Sequence, residues 1–211
     1  IGGEGTCPAA SFDAARNGVC SGNTVYNCRS NYGGGYAAGI YVDGGRNIVV
    51  ERNSVHQCDI GLEIGCENHG KTASGMTVRE NLIFDNDKGG LGFGGYDYPA
   101  TGQVTNSSFH HNTCLHNDVL ATGQGELYIN YALSCVVKNN IFSSTAQNRL
   151  LTTTFGNVSG NILNYNLWWT PGGINDASVD YNGTIYAKFS DYISATGQDQ
   201  HSLFADPRFI S

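Results

Sequence analysis

Charge and proline are scarce in this chain. Its 211 residues hold 11 Lys and Arg against 18 Asp and Glu, so charged residues make up 14 % where about a quarter is usual, and proline occurs 4 times. No cluster of Lys or Arg stands anywhere, and the net charge is −7, so the electrostatic footprint of a nucleic-acid binder is missing. No run of ~18 apolar residues exists, which excludes a membrane-spanning helix. The opening Ile1–Ala10 lacks the charged and apolar regions of a signal peptide, so a mature form or a fragment of a longer protein is expected. The 7 cysteines include no Cys-x-x-Cys pair, which argues against a zinc ribbon. Their odd number, in a chain too large to need a disulfide framework, argues against a cystine scaffold.

Glycine, by contrast, is abundant at 29 residues, and asparagine is conspicuous. With valine and isoleucine common, the composition favours short strands joined by tight turns over helices. Asn followed by a short apolar stretch recurs at Asn23, Asn53, Asn81, Asn112, Asn140 and Asn166, at intervals of 30, 28, 31, 28 and 26 residues. A fixed local pattern at unequal spacing predicts coils of one kind carrying loops of different length. Two residues after each Asn stand Val25, Val55, Ile83, Cys114, Phe142 and Trp168, which form one inward column. A later strand in each unit repeats as Gly39-Ile-Tyr-Val, Gly61-Leu-Glu-Ile, Gly90-Leu-Gly-Phe and Glu126-Leu-Tyr-Ile. Ile40, Leu62, Leu91 and Leu127 point inward, as do Val42, Ile64, Phe93 and Ile129. Three short strands per ~22–35 residues, with no helical stretch between them, predict an all-β solenoid and not a βαβ fold. Stacked one strand spacing apart, the repeated Asn amides are expected to bond to one another as a ladder and to serve turns that need left-handed backbone.

These units resemble the repeats of the right-handed parallel β-helix superfamily, which includes pectate lyases and related polysaccharide-active proteins. The tail from Ala195 to Phe209 resembles a segment near the end of many secreted bacterial β-helix proteins. The resemblance spans roughly residues 19–209 and implies a single-stranded right-handed parallel β-helix of about 5–6 coils. A single domain is expected, with residues 1–18 capping the N-terminal end, 19–169 forming the coils and 170–211 covering the other end. A short helix is expected around Tyr186–Ile193. The resemblance further implies a secreted, periplasmic or cell-surface bacterial protein, a monomer, that contacts a polysaccharide or oligosaccharide. It also places the reactive cleft over the strand after the third turn.

On that strand the outward column reads Tyr41, Glu63, Gly92 and Tyr128, and the next reads Asp43, Gly65, Gly94 and Asn130. Small residues on the middle coils predict a shallow groove with Tyr41 and Tyr128 as sugar platforms. Glu63, Lys71 and His69 are the candidate catalytic residues. A polysaccharide lyase acting on an acidic polysaccharide needs a base for the C5 proton and a cation for the carboxylate. Asp43, Glu63 and Glu67 offer hard oxygen ligands for Ca²⁺. Tyr96 and Asp97, from the loop Gly94–Gly102, join Tyr41, Glu126, Tyr128 and Asn130 as candidate substrate contacts. Two alternatives stand beside the lyase. The first is a glycoside hydrolase, since Asp43 and Glu63 come out roughly 8 Å apart at Cα, the spacing of an inverting pair, while Glu126 is about 12 Å from Glu63. The second is a non-catalytic glycan-binding, adhesive or structural module, in which the carboxylates of this face are merely solvated.

The column Glu51, Arg79, His110, Lys138, flanked by Arg52 and Glu80, predicts cross-strand ion pairing. Cys114 and Cys135 fall on inward columns and are expected in the core. Cys28 and Cys58 share one repeat position near 5 Å apart, open to either a bridge or a stacked thiol pair, and Cys7 and Cys20 are candidates for a second bridge. Cys66 stands alone beside the proposed groove.

Overall fold

The computed structural model describes residues 15–31, 34–153 and 156–210. Four parallel sheets run along one cylinder. A six-stranded sheet contains Val19–Ser21, Val49–Glu51, Thr77–Arg79, Ser108–His110, Val136–Lys138 and Ile162–Asn164. A seven-stranded sheet follows each of these after the repeated Asn, from Thr24–Tyr26 through Leu167–Trp169 to Leu203–Phe204. The other seven-stranded sheet carries Ala38–Asp43, Ile60–Gly65, Gly89–Gly94, Leu127–Asn130, Arg149–Thr152 and Ser178–Tyr181, with Thr184–Tyr186 antiparallel at its edge. A three-stranded sheet of Thr72–Ser74, Gln103–Thr105 and Ala132–Leu133 lies between this third sheet and the first. The protein is thus a parallel β-solenoid of about six turns.

Register is as the columns require. Val25 pairs with Val55, Val55 with Ile83, Ile83 with Cys114, Cys114 with Phe142 and Phe142 with Trp168. All but Val25 are fully buried, and Val25 packs on the same core from the first coil. Phe93 stacks on Phe109 and Phe142 on Trp168 inside the cylinder. Cys114 and Cys135 are core residues, and Cys20, Cys28 and Cys58 are free thiols. Cys7 lies outside the described residues. The expected ion pairs form at one end of the charged column, where Glu51 accepts from both Arg79 and Arg52.

The Asn ladder is continuous. Asn23, Asn53, Asn81, Asn112 and Asn140 each donate Nδ2 to the Oδ1 of the next, at 2.8 to 3.0 Å, and that same oxygen accepts the donor residue's backbone N–H. From Asn53 to Asn166, Nδ2 also reaches a carbonyl of the preceding coil. Buried backbone groups at the corner are thereby paired where water cannot reach them. The left-handed backbone falls one residue earlier than expected. Gly22, Arg52, Glu80, His111, Asn139 and Tyr165 take φ between 55° and 69°, and it is they, not the ladder residues, that bend the chain.

A second ladder occupies the next corner. Cys58 donates its N–H to Asn86 Oδ1, and Asn86 donates Nδ2 to Asn117 Oδ1 at 2.7 Å. Asn117 then donates N–H and Nδ2 to the two oxygens of Glu126 at 2.8 and 2.7 Å. This corner explains three glycines. A Cβ on Gly61 would strike Ile83 and come within 2.8 Å of Asn86 Nδ2, and one on Gly90 would come within 2.8 Å of Asn117 Nδ2. Gly39 is blocked likewise by Val55 and Cys58. Glu126 holds the equivalent place on the coil where no further Asn follows, and its carboxyl stands in for the missing rung. Gly61→Ala is therefore expected to lower stability by about 1–3 kcal/mol, because the added methyl has no room in a packed interior. Thermal unfolding would check it; a melting temperature unchanged from the parent would contradict the packing.

At the C-terminal end the helix spans Phe189–Thr196, three residues later than expected, and ends at Gly197 in the left-handed conformation. Gln198 behind it imitates a peptide unit, accepting from Leu163 N–H and donating to the Asn161 carbonyl. Asp199 then ends the first ladder by accepting from Asn166 Nδ2.

Candidate functional site

The third sheet has the longest strands, and its outward residues form the candidate site. Tyr41 pairs with Glu63, Glu63 with Gly92, Gly92 with Tyr128, and Tyr128 with Thr152; beside them run Asp43, Gly65, Gly94 and Asn130. The glycines are filled from neighbouring coils. A Cβ on Gly92 would collide with the Tyr128 ring, and one on Gly65 would come within 2.7 Å of the Tyr41 hydroxyl. Tyr128 leans back toward Glu63 from two coils away, and Tyr41 leans forward over the neighbouring coil.

This corrects the expected groove with two aromatic platforms. Tyr128 is 8 % exposed, too buried to offer a ring face to a sugar, and its hydroxyl makes no hydrogen bond of ordinary geometry although it faces the Glu63 carboxyl. Tyr41 is half-buried, and its hydroxyl donates to Glu67 Oε1 at 3.0 Å. Asp43 Oδ1 accepts the Glu67 N–H at 2.8 Å, which holds the turn after the strand against the previous coil.

Glu63 is partly exposed at the centre of this strip. Its carboxyl is pushed up to about 7, first by desolvation and further by the charges of Glu67 and Asp43, while the Tyr128 hydroxyl pulls it the other way. Among the described residues, the side chains that act on it are Tyr128, Glu67 and Asp43, none of them cationic. Burial, with the charges of Glu63, Asp43 and Glu67, pushes the Tyr41 phenol well above its ordinary value.

The structure thus brings together Tyr41, Asp43, Glu63, Glu67 and Tyr128. It does not bring Glu126 to them: that residue, expected to contact substrate, is fully buried and turned inward to Asn117, because its strand position points at the second ladder. Lys71 and His69 stand on the turn after Ile60–Gly65, His69 exposed and Lys71 half-buried, and neither acts on the Glu63 carboxyl. Their turn is held to the next coil by the Gly70 N–H, 2.9 Å from the Pro99 carbonyl, and by the Gln103 N–H bonding Lys71 O. Tyr96 and Asp97 are exposed on the loop beyond Gly89–Gly94, and Asn130 is half-buried at the end of its strand. Asp43, Glu63 and Glu67, expected as Ca²⁺ ligands, share a neighbourhood without forming a coordination set. Among the described residues no three His, Cys, Asp or Glu side chains are grouped closely enough to hold a metal ion. Cys66 beside the strip is buried, its Sγ in the space a Cβ on Gly102 would need.

Asn86 and Asn117, which fix the corner leading into this sheet, went unread in the sequence. The signal was there: each stands five residues after a ladder Asn, as Cys28 and Cys58 stand five after Asn23 and Asn53.

A stack of parallel coils carrying an Asn ladder, with an acidic strip on the sheet of longest strands, defines the chain as a right-handed parallel β-helix protein. A family model described as right handed beta helix region matches residues 9–97. The chain is also similar to the uncharacterized protein YwoF of Bacillus subtilis (strain 168), with 34 % identity over 174 residues, 82 % of this chain and 37 % of that protein. It therefore spans little more than a third of that relative's length. No solved structure matches the chain. Among the described residues no helix is long and apolar enough to cross a membrane.

Proposed function

We propose that this is a secreted or cell-surface, carbohydrate-active bacterial protein that hydrolyses glycosidic bonds at the strip centred on Glu63. One observation carries the proposal: a carboxyl that keeps its proton up to about pH 7 stands beside two further carboxylates. Environments that separate the proton affinities of neighbouring carboxyl groups assign acid and base. Glu63, protonated, is the general acid that gives its proton to the glycosidic oxygen. Asp43, one strand away and two residues on, is the general base for water; strand spacing puts its Cα roughly 8 Å from that of Glu63, a backbone separation compatible with the carboxyl spacing of an inverting pair.

The same features count against the lyase alternative. Removal of a C5 proton needs a base next to a neutralised uronate. The two carboxylates of Asp43 and Glu67, beside a protonated Glu63, repel a uronate instead. A neutral polysaccharide fits the strip better than an acidic one.

The test is a panel of neutral and acidic polysaccharides, with and without Ca²⁺, on the parent chain and Glu63→Gln. New reducing ends without the absorbance of an unsaturated uronate are expected. Glu63→Gln should lower turnover by about 10²–10⁴-fold. Parent activity should fall as pH rises through about 7, where Glu63 loses its proton. Turnover untouched by Glu63→Gln would refute the site. Calcium-dependent uronate absorbance would establish the lyase, and binding without turnover would establish a glycan-binding module.

A further inference from the structure

A second site lies at the C-terminal end of the solenoid, away from Glu63. A cleft of about 380 Å³ opens there between the loop around Asn157–Asn161, the hairpin of Ser178–Tyr181 and Thr184–Tyr186, and the end of the helix. None of the residues lining it is charged, and amides and hydroxyls dominate. From this we infer that the cleft binds a neutral sugar of one or two rings.

Three features support that ligand class. The first is the chemistry of the wall. Ser159, Asn182, Thr184 and Tyr186 line the cleft, and their side chains make no hydrogen bond to other described residues. Uncharged donors and acceptors of this kind match the hydroxyl groups of a sugar, whereas an anion or a cation would enter with nothing to offset its charge. The second is the aromatic component. Tyr181 and Tyr186 contribute rings, and a sugar presents apolar C–H faces to such rings while its hydroxyls reach the amides. The third is rigidity. Tyr192 packs against both rings, with centroids 5.5 Å from Tyr181 and 6.1 Å from Tyr186. Gln198, on the floor, is held at both ends: its amide donates to Asn161 O and Tyr181 Oη, and its carbonyl accepts from Leu163 N–H. The hairpin turn is fixed by Asn182 and Gly183, both left-handed. A wall ordered before binding costs little further entropy when a ligand arrives. The volume falls within the ~300–1,000 Å³ range of small-molecule sites, at its small end.

The site is independent of the Glu63 strip, so the two stand or fall separately. The experiment is ¹⁵N-resolved NMR titration of the whole chain with glucose, galactose, cellobiose and maltose, and with galacturonate as the charged probe. Parent, Glu63→Gln and Thr184→Val/Tyr186→Phe chains would be compared. Both substitutions of the double variant remove hydroxyls while keeping shape, and its unperturbed amide spectrum elsewhere would show that it folds. Saturable shifts with at least one neutral sugar are expected in 157–161, 181–186 and 195–198, unchanged in Glu63→Gln and weakened at least about tenfold in the double variant, the loss of roughly two hydrogen bonds. No saturable shift in those segments, a stronger response to galacturonate, or undiminished affinity in the double variant would overturn the inference.

Discussion

Asp199→Ala is expected to lower the stability of this protein by about 3–5 kcal/mol, the largest effect of any single truncation in the C-terminal segment. Asp199 is fully buried and accepts from four side chains: Asn166 Nδ2 at 3.2 Å, Trp168 Nε1 at 3.0 Å, Tyr192 Oη at 3.0 Å and Ser202 Oγ. Its own N–H donates to Leu163 O at 2.7 Å. The ladder reaches Asn166 with an amide hydrogen to place and no further coil behind it. Asp199 supplies the missing acceptor, and from the same carboxylate ties the inner Trp168 and the helix residue Tyr192 to the end of the stack. Alanine leaves buried donors from three elements unpaired at once, and that desolvation penalty exceeds what the lost contacts contribute. Asp199→Asn is expected to be mild, because one amide oxygen still serves Asn166 and Trp168 and the Tyr192 hydroxyl can rotate to accept. Urea unfolding of the three proteins would measure this, with the midpoint shift read at constant m-value. An alanine variant within about 1 kcal/mol of the parent would show that the tail does not cap the ladder.

The contrast between Asp199 and the repeated Asn residues shows what the sequence made legible. Six Asn at near-regular intervals, each followed two residues later by an apolar side chain, carry the period of the solenoid, so the ladder, the inward columns and the register of the third sheet could all be read. Asp199 breaks that period, since it closes the ladder 33 residues after Asn166 from within a segment of different composition. Glu126 misled for a related reason. Its strand position matches Gly39, Gly61 and Gly90, and glycine hides which way a side chain there would point; only packing against Asn117 reveals that the place is interior. The candidate strip was legible in its columns and not in its surface. Alternation along a strand says that Tyr128 faces outward, but the empty space over Gly92, into which its ring lies back, is a property of two coils together.

The second large effect is on pH. Stability should be greatest near pH 5 and fall steadily toward pH 8, the reverse of what paired carboxylates usually produce. Desolvation pushes the Glu126 carboxyl up to about 8 and Glu63 up to about 7, against an ordinary value of 4.5 for both. Below about pH 4.5 both groups carry a proton in folded and unfolded chain alike. Above it the unfolded chain gives up these protons while the folded chain retains them, so unfolding is favoured as pH rises, until each group passes its folded value. At about 1.4 kcal/mol per pH unit, Glu126 alone removes on the order of 4 kcal/mol between pH 5 and pH 8, a large part of a typical domain's 5–15 kcal/mol. On the acid side Asp59, held below its ordinary value by N–H groups of Ser30 and Ala37 against its desolvation, and Glu51, held down by Arg79 and Arg52, act in the opposite direction. Their stabilisation is lost as pH falls through their folded values, which closes the maximum from below. Glu126→Gln separates the contributions. Its amide oxygen can take both Asn117 donors as Asn117 Oδ1 takes both from Asn86, so the corner survives while the titrating group is gone. Denaturant midpoints at half-unit steps from pH 4 to pH 9 should show most of the alkaline slope abolished in Glu126→Gln and the remainder in Glu63→Gln. Glu126→Ala should be destabilised at every pH. A parent curve that is flat or rising between pH 5 and pH 8, or a Glu126→Gln curve parallel to it, would mean that neither carboxyl is held protonated by the fold, and the acid assigned to Glu63 would lose its physical basis.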